Sequence, residues 1–386
     1  MANPGKTILI LGGGVGGLVA ANVLRGRLPR THRVIVVDRE SDFVFAPSLL
    51  WLLTGKRTVE KISRPLSRLE RKGIALVQGE IESIDSERRE VVVAGQRLCG
   101  DYLIIALGAD LAPETIPGLQ EGGHNFYAPA GAEAFREAFA KFTGGRLVLM
   151  TASPAYKCPG APYEAVMLLE AACRKRGIRH QTEIDLYAAE PGPLGVAGPD
   201  VSRAVRQMVE AKGIRYHPDH QVTEVQPEPR RIRFANGAET EYDLLAYVPP
   251  LKVPKAVRDT GLIGESGWIA VDRHTLETKF ARVFAVGDVT SIPLKMGKPL
   301  PKAGVFAHKQ AEVVALNVAR EITGSGERVS YGGWGECFIE TGDGRGGIGK
   351  GNFYAEPLPQ VTVEPPTWRW HLAKILFERY WLWRWF

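Results

Sequence analysis

Apolar residues in this chain gather in short unbroken runs: Ile8–Leu11 within Lys6–Leu11, Val34–Val37 within Arg33–Val37, Leu103–Ala106 within Asp101–Ala109, Leu147–Met150 within Gly145–Met150 and Val283–Val286 within Arg282–Asp288. Such runs, bounded by glycine and charged residues, predict strands buried in parallel sheets. Helices are expected over Leu18–Leu28, over Tyr163–Lys175, and from Pro301-Lys302-Ala303-Gly304 through Arg320. The fold class is therefore α/β, with two βαβ patterns beginning at Lys6 and at Gly145.

Gly12-Gly13-Gly14-Val15-Gly16-Gly17 follows the first strand, and Gly12, Gly14 and Gly17 fit G-x-G-x-x-G. That spacing makes a tight turn, lets backbone approach a pyrophosphate and packs helix on strand, while the helix N-terminus presents free N–H groups to phosphate. Asp38 ends the second strand 21 residues after Gly17, where a ribose-binding carboxylate belongs. Two later segments, Asp101–Ala109 with Ala106 and Gly108, and Arg282–Asp288 ending in Gly287-Asp288, resemble the secondary flavin motifs of the two-dinucleotide-domain flavoprotein superfamily. The resemblance implies FAD, with Asp288 on its ribityl chain and Lys302, Ala303 and Gly304 opening a helix aimed at the flavin ring. Arg39, Ala46 and Ile81 complete the expected cofactor set, with Gly16.

The second unit departs from this scheme. After Gly145–Met150 the chain reads Thr151-Ala152-Ser153-Pro154-Ala155-Tyr156-Lys157-Cys158-Pro159-Gly160-Ala161-Pro162, with no second glycine fingerprint. Proline removes N–H donors and bulky side chains obstruct a pyrophosphate, so NADH is not expected to bind there. Cys158 falls near the start of the Tyr163–Lys175 helix, where a thiol is expected to have a lowered pKa. Cys337 lies in Trp334–Asp343, beyond the flavin-binding segments. With Lys157–Glu164 and the Cys337 segment together, nearly the whole chain resembles the sulfide:quinone oxidoreductase and flavocytochrome c sulfide dehydrogenase family.

That resemblance implies a glutathione reductase-like fold and a redox-active pair, Cys158 and Cys337, on one face of the flavin. Hydrosulfide attacks the oxidised pair, and electrons pass through FAD to a membrane quinone. Glu164 suits the acid–base work, a carboxylate acting only on the helix dipole being its alternative. Many members tether FAD through a further cysteine, but His124-Asn125-Phe126-Tyr127-Ala128-Pro129 has none, which implies non-covalent FAD. Cys99, in a surface hairpin, and Cys173, in a helix, are read as structural.

The domains expected are 1–112 with 272–322 for FAD, 113–271 as a second Rossmann-like domain without an NAD fingerprint, and 323–386 as a membrane-associating C-terminal region. The last twenty residues hold five of the eight tryptophans, interrupted by Arg369, Lys374, Arg379 and Arg384. This mixture suits a membrane interface and is too charged to span. Phe338, Phe353 and Tyr354 are candidate quinone-lining residues.

Composition narrows the rest. A charge of +6 without a basic run gives no case for nucleic acid, and the cysteine spacings do not fit a metal site. The start lacks the pattern of a secretory signal, so a peripheral position on the cytoplasmic face of the cell membrane is expected. Homo-oligomerisation is left open. The competing readings are a type II NADH:quinone oxidoreductase, which needs the missing fingerprint, a flavocytochrome c sulfide dehydrogenase, which needs a haem partner, and a non-catalytic membrane-associated flavin-binding module.

Overall fold

A computed structural model describes residues 5–386. Residues 1–4, where the expected flavin domain and the inspected start of the chain begin, lie outside the described residues. The elements that position the site are, in order, β1 (Thr7–Leu11), α1 (Val15–Arg27), β2 (Arg33–Asp38), α2 (Leu49–Leu53), β3 (Ala75–Gln78), β4 (Tyr102–Ile105), β5 (His124–Asn125), β6 (Gly145–Thr151), α3 (Ala161–Lys175), β7 (Thr182–Tyr187), β8 (Arg215–His217), β9 (Leu244–Val248), β10 (Val283–Ala285), α4 (Gly304–Thr323), β11 (Trp334–Gly342), β12 (Arg345–Asn352), β13 (Gln360–Thr367) and α5 (Trp368–Arg384).

Two parallel sheets organise the chain. The first has the order β10-β4-β1-β2-β3, and Leu9 of β1 faces Ile35 on one side and Leu103 on the other. Ile8 and Ile10 pack with Leu18 and Leu24 of α1 and Val314 and Val318 of α4, while Leu9 and Leu11 pack with Ile81, Val91 and Val93 on the opposite face. Successive strand residues point to opposite faces, and both faces are covered, so the inner strand positions are apolar. The second sheet, β5-β9-β6-β7-β8, repeats the plan: Leu147 and Leu149 face Val166 and Leu169 of α3, and Val148 and Met150 face Val225, Ile232 and Phe234. Strand β10 returns to the first sheet beside β4 after the second sheet is complete.

β11, β12 and β13 form an antiparallel sheet, and α5 lies against it. Here the structure changes the reading of the tail. One side of α5 is core: Trp381, Leu382 and Trp385 are buried, and Trp381 stacks on Phe43 at 4.8 Å. Burying such a side chain contributes roughly 1.5–3 kcal/mol, so α5 is fixed to the flavin-domain core. The opposite side carries exposed Trp368, Leu372, Leu376, Tyr380 and Trp383. Among the described residues no helix is long and apolar enough to cross a membrane. Helix α1 starts at Val15, three residues before the expected Leu18, because Gly14 serves as its N-cap and Gly16 and Gly17 lie within it.

Candidate active site

The β1–α1 turn is a cradle made by missing side chains. Gly12 has φ +101°, and a Cβ there would lie 2.5 Å from the Ala106 carbonyl oxygen at the end of β4. A Cβ on Gly17 would lie 1.8 Å from the Gly12 carbonyl oxygen, so strand and helix can meet only over glycine. Gly16 packs against Val286, whereas Gly14 faces open space at the N-terminus of α1, where no side chain caps the helix. Asp38 holds the turn: its Oδ2 accepts the Gly13 N–H and its Oδ1 accepts the Glu40 N–H at 2.8 Å. Arg39 is exposed among Glu40, Glu80 and Asp110, whose carboxylates raise its pKa although partial burial, the largest single influence, acts the other way. Ala46 is exposed at the start of a 3-10 turn, Ile81 is buried, and Gly108 has φ +67°.

The Gly-Asp turn meets the start of α4. Gly287 donates its N–H to Gln310 Oε1 at 2.7 Å, and Lys302 Nζ donates to the carbonyls of Asp288 and Thr290 at 2.6 and 2.9 Å. Lys302 also lies 3.5 Å from the centroid of the Trp268 ring. Burial pushes Lys302 down to about 8, against the pull of Asp288. Asp288 Oδ1 is inaccessible and has no partner among the described residues, and burial raises this carboxyl. A buried unpaired carboxylate oxygen is costly and calls for a donor. Asp288, Lys302 and Ala303 line one pocket, and Ala303 leaves the first N–H groups of α4 without a side-chain cap. The cradle at Gly14, the orphaned Asp288 oxygen and two uncapped helix N-termini fit FAD: phosphates at α1, a polyhydroxyl chain at Asp288, and a flavin carbonyl edge at α4.

Cys158 reaches this place, and Cys337 lies near enough to act on it. Cys158 is left-handed, with φ +52°, and its N–H donates to the Lys302 carbonyl at 2.6 Å, tying the second unit to the lead-in of α4. Strand β11 passes between α4 and α3: Gly335 abuts Phe306, whose ring would lie 2.2 Å from an added Cβ, and the Glu340 N–H donates to Glu164 Oε2 at 2.8 Å. Cys337 sits between those two contacts. Its side chain is exposed at the surface, yet enough protein surrounds the sulfur that burial pushes its thiol up to about 11.

Cys158 is raised further, by burial first and then by the neighbouring Cys337 and Glu164 charges. This overturns the expected lowering at a helix start. The Ala161 N–H donates to the Cys158 carbonyl at 2.9 Å, and what pull the helix end exerts on the sulfur is smaller than the cost of burying a thiolate. Cys99 lies exposed on a hairpin strand and Cys173 is buried in α3.

Glu164 is buried in the first turn of α3, and it pairs with Lys374 of α5 at 2.7 Å. Burial raises Glu164 despite that partner. Lys374 is also raised, because Glu164, Glu340 and Cys337 together outweigh its own burial. The lysine expected at a membrane surface is thus an inward-facing group beside the cysteines. His371, one turn earlier on α5, pairs with Glu340 at 2.9 Å, and Glu378, one turn later, pairs with Arg57 at 2.8 Å and accepts from Ser48 at 2.6 Å. Sequence reasoning missed Lys374, Glu340 and His371. The i, i+3, i+7 spacing of His371, Lys374 and Glu378 was the available signal, since it sets three titratable groups along one side of the helix.

The three quinone candidates separate. Phe338 meets Trp370 and Phe377 of α5 at 6.4 and 5.9 Å, close to Cys337 in sequence. Phe353 packs edge-on against Phe306 at 5.0 Å. Tyr354 donates its hydroxyl to the Arg273 carbonyl at 2.8 Å, and its ring packs on Tyr331 and His274.

Fold and site together define a flavin-dependent oxidoreductase. The chain belongs to the pyridine nucleotide-disulphide oxidoreductase family, which it matches over residues 6–311. It is 28% identical to the sulfide-quinone reductase of Aquifex aeolicus (strain VF5), over 98% of this chain and 91% of that protein. It is 26% identical to the mitochondrial sulfide:quinone oxidoreductase of Mus musculus, over 91% of this chain and 79% of that protein. The crystal structure of the Aquifex aeolicus sulfide:quinone oxidoreductase superimposes with a TM-score of 0.88 at 25% identity, covering 98% of this chain and 91% of that one. These relatives bear out the resemblance read from the two cysteine segments and the expectation of FAD.

Proposed function

We propose that the protein oxidises sulfide at Cys158 and Cys337 and delivers the electrons to a membrane quinone, with FAD held non-covalently. The observation that carries this reading is that Cys158, bonded to the lead-in of α4, and Cys337 both feel one buried Glu164–Lys374 pair. FAD, when bound at the site described, supplies the two-electron acceptor. In the oxidised pair, hydrosulfide attack forms one sulfur–sulfur bond and breaks another, leaving a persulfide on one cysteine and a thiolate on the other. Lys374 favours the thiolate, since its charge lowers both thiols. Glu164, raised by burial, is suited to hold or give up a proton beside them. The net reaction, hydrosulfide plus quinone plus one proton giving zero-valent sulfur plus quinol, balances in electrons and needs such a proton carrier.

The outer face of α5 supports attachment to a membrane. Trp368, Leu372, Leu376, Tyr380 and Trp383 recur at helical spacing, with Trp383 as much as 74% exposed. Phe338, Trp370, Phe377 and Phe45 form a continuous aromatic path from that helix inward and are the proposed quinone contacts. Attachment at the cytoplasmic face belongs to the same proposal.

Anaerobic titration of the purified flavoprotein tests the reading. Sulfide should bleach the flavin absorbance and a quinone should restore it. Bleaching by NADH with no response to sulfide would move the protein to the NADH:quinone oxidoreductases.

A further inference from the structure

We propose that Glu190 and Tyr127 are positioning residues that aim Cys158, and that Glu190 does so in the place where a nucleotide-binding domain keeps its ribose carboxylate. In the first unit the second strand, β2, ends in Asp38. In the second unit the corresponding strand is β7, and Glu190 follows it by three residues. A carboxylate there, facing an open crevice, would be free for ribose hydroxyls. Glu190 is instead 9% exposed and accepts three hydroxyls of its own chain: Thr151 at 2.7 Å, Tyr163 at 2.7 Å, and Tyr156. Thr151 in turn accepts the Ala189 N–H at 2.9 Å. Burial pushes Tyr156 and Tyr163 upward, which keeps both as donors.

Tyr156 stands two residues before Cys158, so the Glu190 bonds fix one side of the cysteine loop. Tyr127 fixes the other, donating its hydroxyl to the Cys158 carbonyl at 3.1 Å. Tyr127 is likewise kept protonated by burial. With the Lys302 carbonyl taking the Cys158 N–H, every backbone polar group of Cys158 is held. This matters because Cys158 is left-handed, a conformation that residues with a Cβ avoid and that persists only where the surroundings over-determine it. Released from the clamp, the residue would relax and its sulfur would swing away from Cys337. The family resemblance gave no role to Tyr127, and the proline-filled loop gave none to Glu190. The clamp accounts for both. It rests on the reading of Cys158 as one of the reacting pair.

The test is alkylation of the reduced, FAD-loaded, full-length protein by iodoacetamide, with each of the four cysteines followed by peptide mapping. In Tyr127→Phe, Cys158 should react about three- to tenfold faster, the range expected for one lost hydrogen bond, and in Glu190→Ala, which loses three, the rise should be at least as large. Cys337, Cys99 and Cys173 should keep their native rates. Glu190→Gln, whose amide oxygen still accepts, should fall between native and Glu190→Ala. Tyr242→Phe, which removes a hydroxyl with no hydrogen-bond partner among the described residues, should match native. An unchanged or slower Cys158 rate in both Tyr127→Phe and Glu190→Ala overturns the clamp, as does an equal rise at all four cysteines, which would mean general loosening. Neither sulfide nor quinone enters the assay, so it decides the clamp even in a protein that proved not to oxidise sulfide.

Discussion

Lys374 Nζ of α5 lies 2.7 Å from Glu164 Oε2 of α3, and each side chain is only 5% exposed. The helix with the most exposed aromatic face in the chain therefore sends an ammonium group under the cysteines. A buried ion pair gains stability only when its remaining hydrogen bonds are met. Here the Glu340 N–H supplies one more to the same Glu164 oxygen, and the Trp51 ring lies 5.2 Å from the Lys374 ammonium.

Lys374→Met should leave Glu164 buried without its cation and cost about 3–5 kcal/mol, read as a lower denaturant midpoint. Lys374→Met combined with Glu164→Gln should recover much of that loss, because no unpaired charge is left. A double variant as unstable as the sum of its parts would mean that the two groups act independently.

Cys337 carries a pH signature. Its thiol is held at about 11, so alkylation should rise about tenfold per pH unit from neutrality and level off only near that value. Lys374→Met should slow it at any given pH, since the lysine is the group that favours the thiolate. The linkage has a definite sign: the native state keeps this proton more tightly than the unfolded chain. The resulting stability is present below the ordinary thiol value and is lost as pH rises from there through about 11. A profile centred near 8.5, the free thiol value, would contradict the protein-surrounded setting of the Cys337 sulfur.

Much of this was legible in the sequence because it depends on local spacing. Gly12, Gly14 and Gly17 announce a turn whose reason is steric, and the apolar runs announce strands covered on both faces. Cys158 and Cys337 were legible through their neighbours in the chain. Their raised pKa values were not, because desolvation depends on what packs around a sulfur after folding. Lys374 was misread for a related reason: its sequence neighbours are membrane-like, while its spatial neighbours Glu164 and Glu340 lie 210 and 34 residues earlier. Glu190 was invisible because the three hydroxyls that occupy it come from β6, its following loop and α3.

The cradle predicts a contrast between two glycines. Gly17→Ala should fail to accumulate as folded protein, since its methyl would lie 1.8 Å from the Gly12 carbonyl oxygen. Gly14→Ala has room within the chain and should fold, yet its methyl enters the space in front of the α1 N-terminus and should reduce bound FAD. Asp288→Asn should also fold, because its Oδ1 has no partner to lose among the described residues, and should release FAD more readily. Flavin content after gel filtration, compared with far-ultraviolet circular dichroism, separates these cases. Full flavin retention in both folding variants would remove the phosphate and ribityl assignments.

The two faces of α5 predict two different failures. Leu376, Tyr380 and Trp383 are exposed and make no part of the core, so changing all three to serine should leave thermal stability and flavin content near native. Binding to phospholipid vesicles should fall by about tenfold or more, because attachment of an interfacial helix scales with the apolar area it buries. Trp381→Ala, on the inner face, removes the ring stacked on Phe43 and should cost about 3–5 kcal/mol of stability. Sulfide oxidation with a water-soluble quinone analogue should survive the triple serine change, whereas activity with quinone embedded in vesicles should drop with the binding. Vesicle binding that persists after the triple change would transfer the membrane contact from α5 to another surface and leave the outer aromatic face without that role.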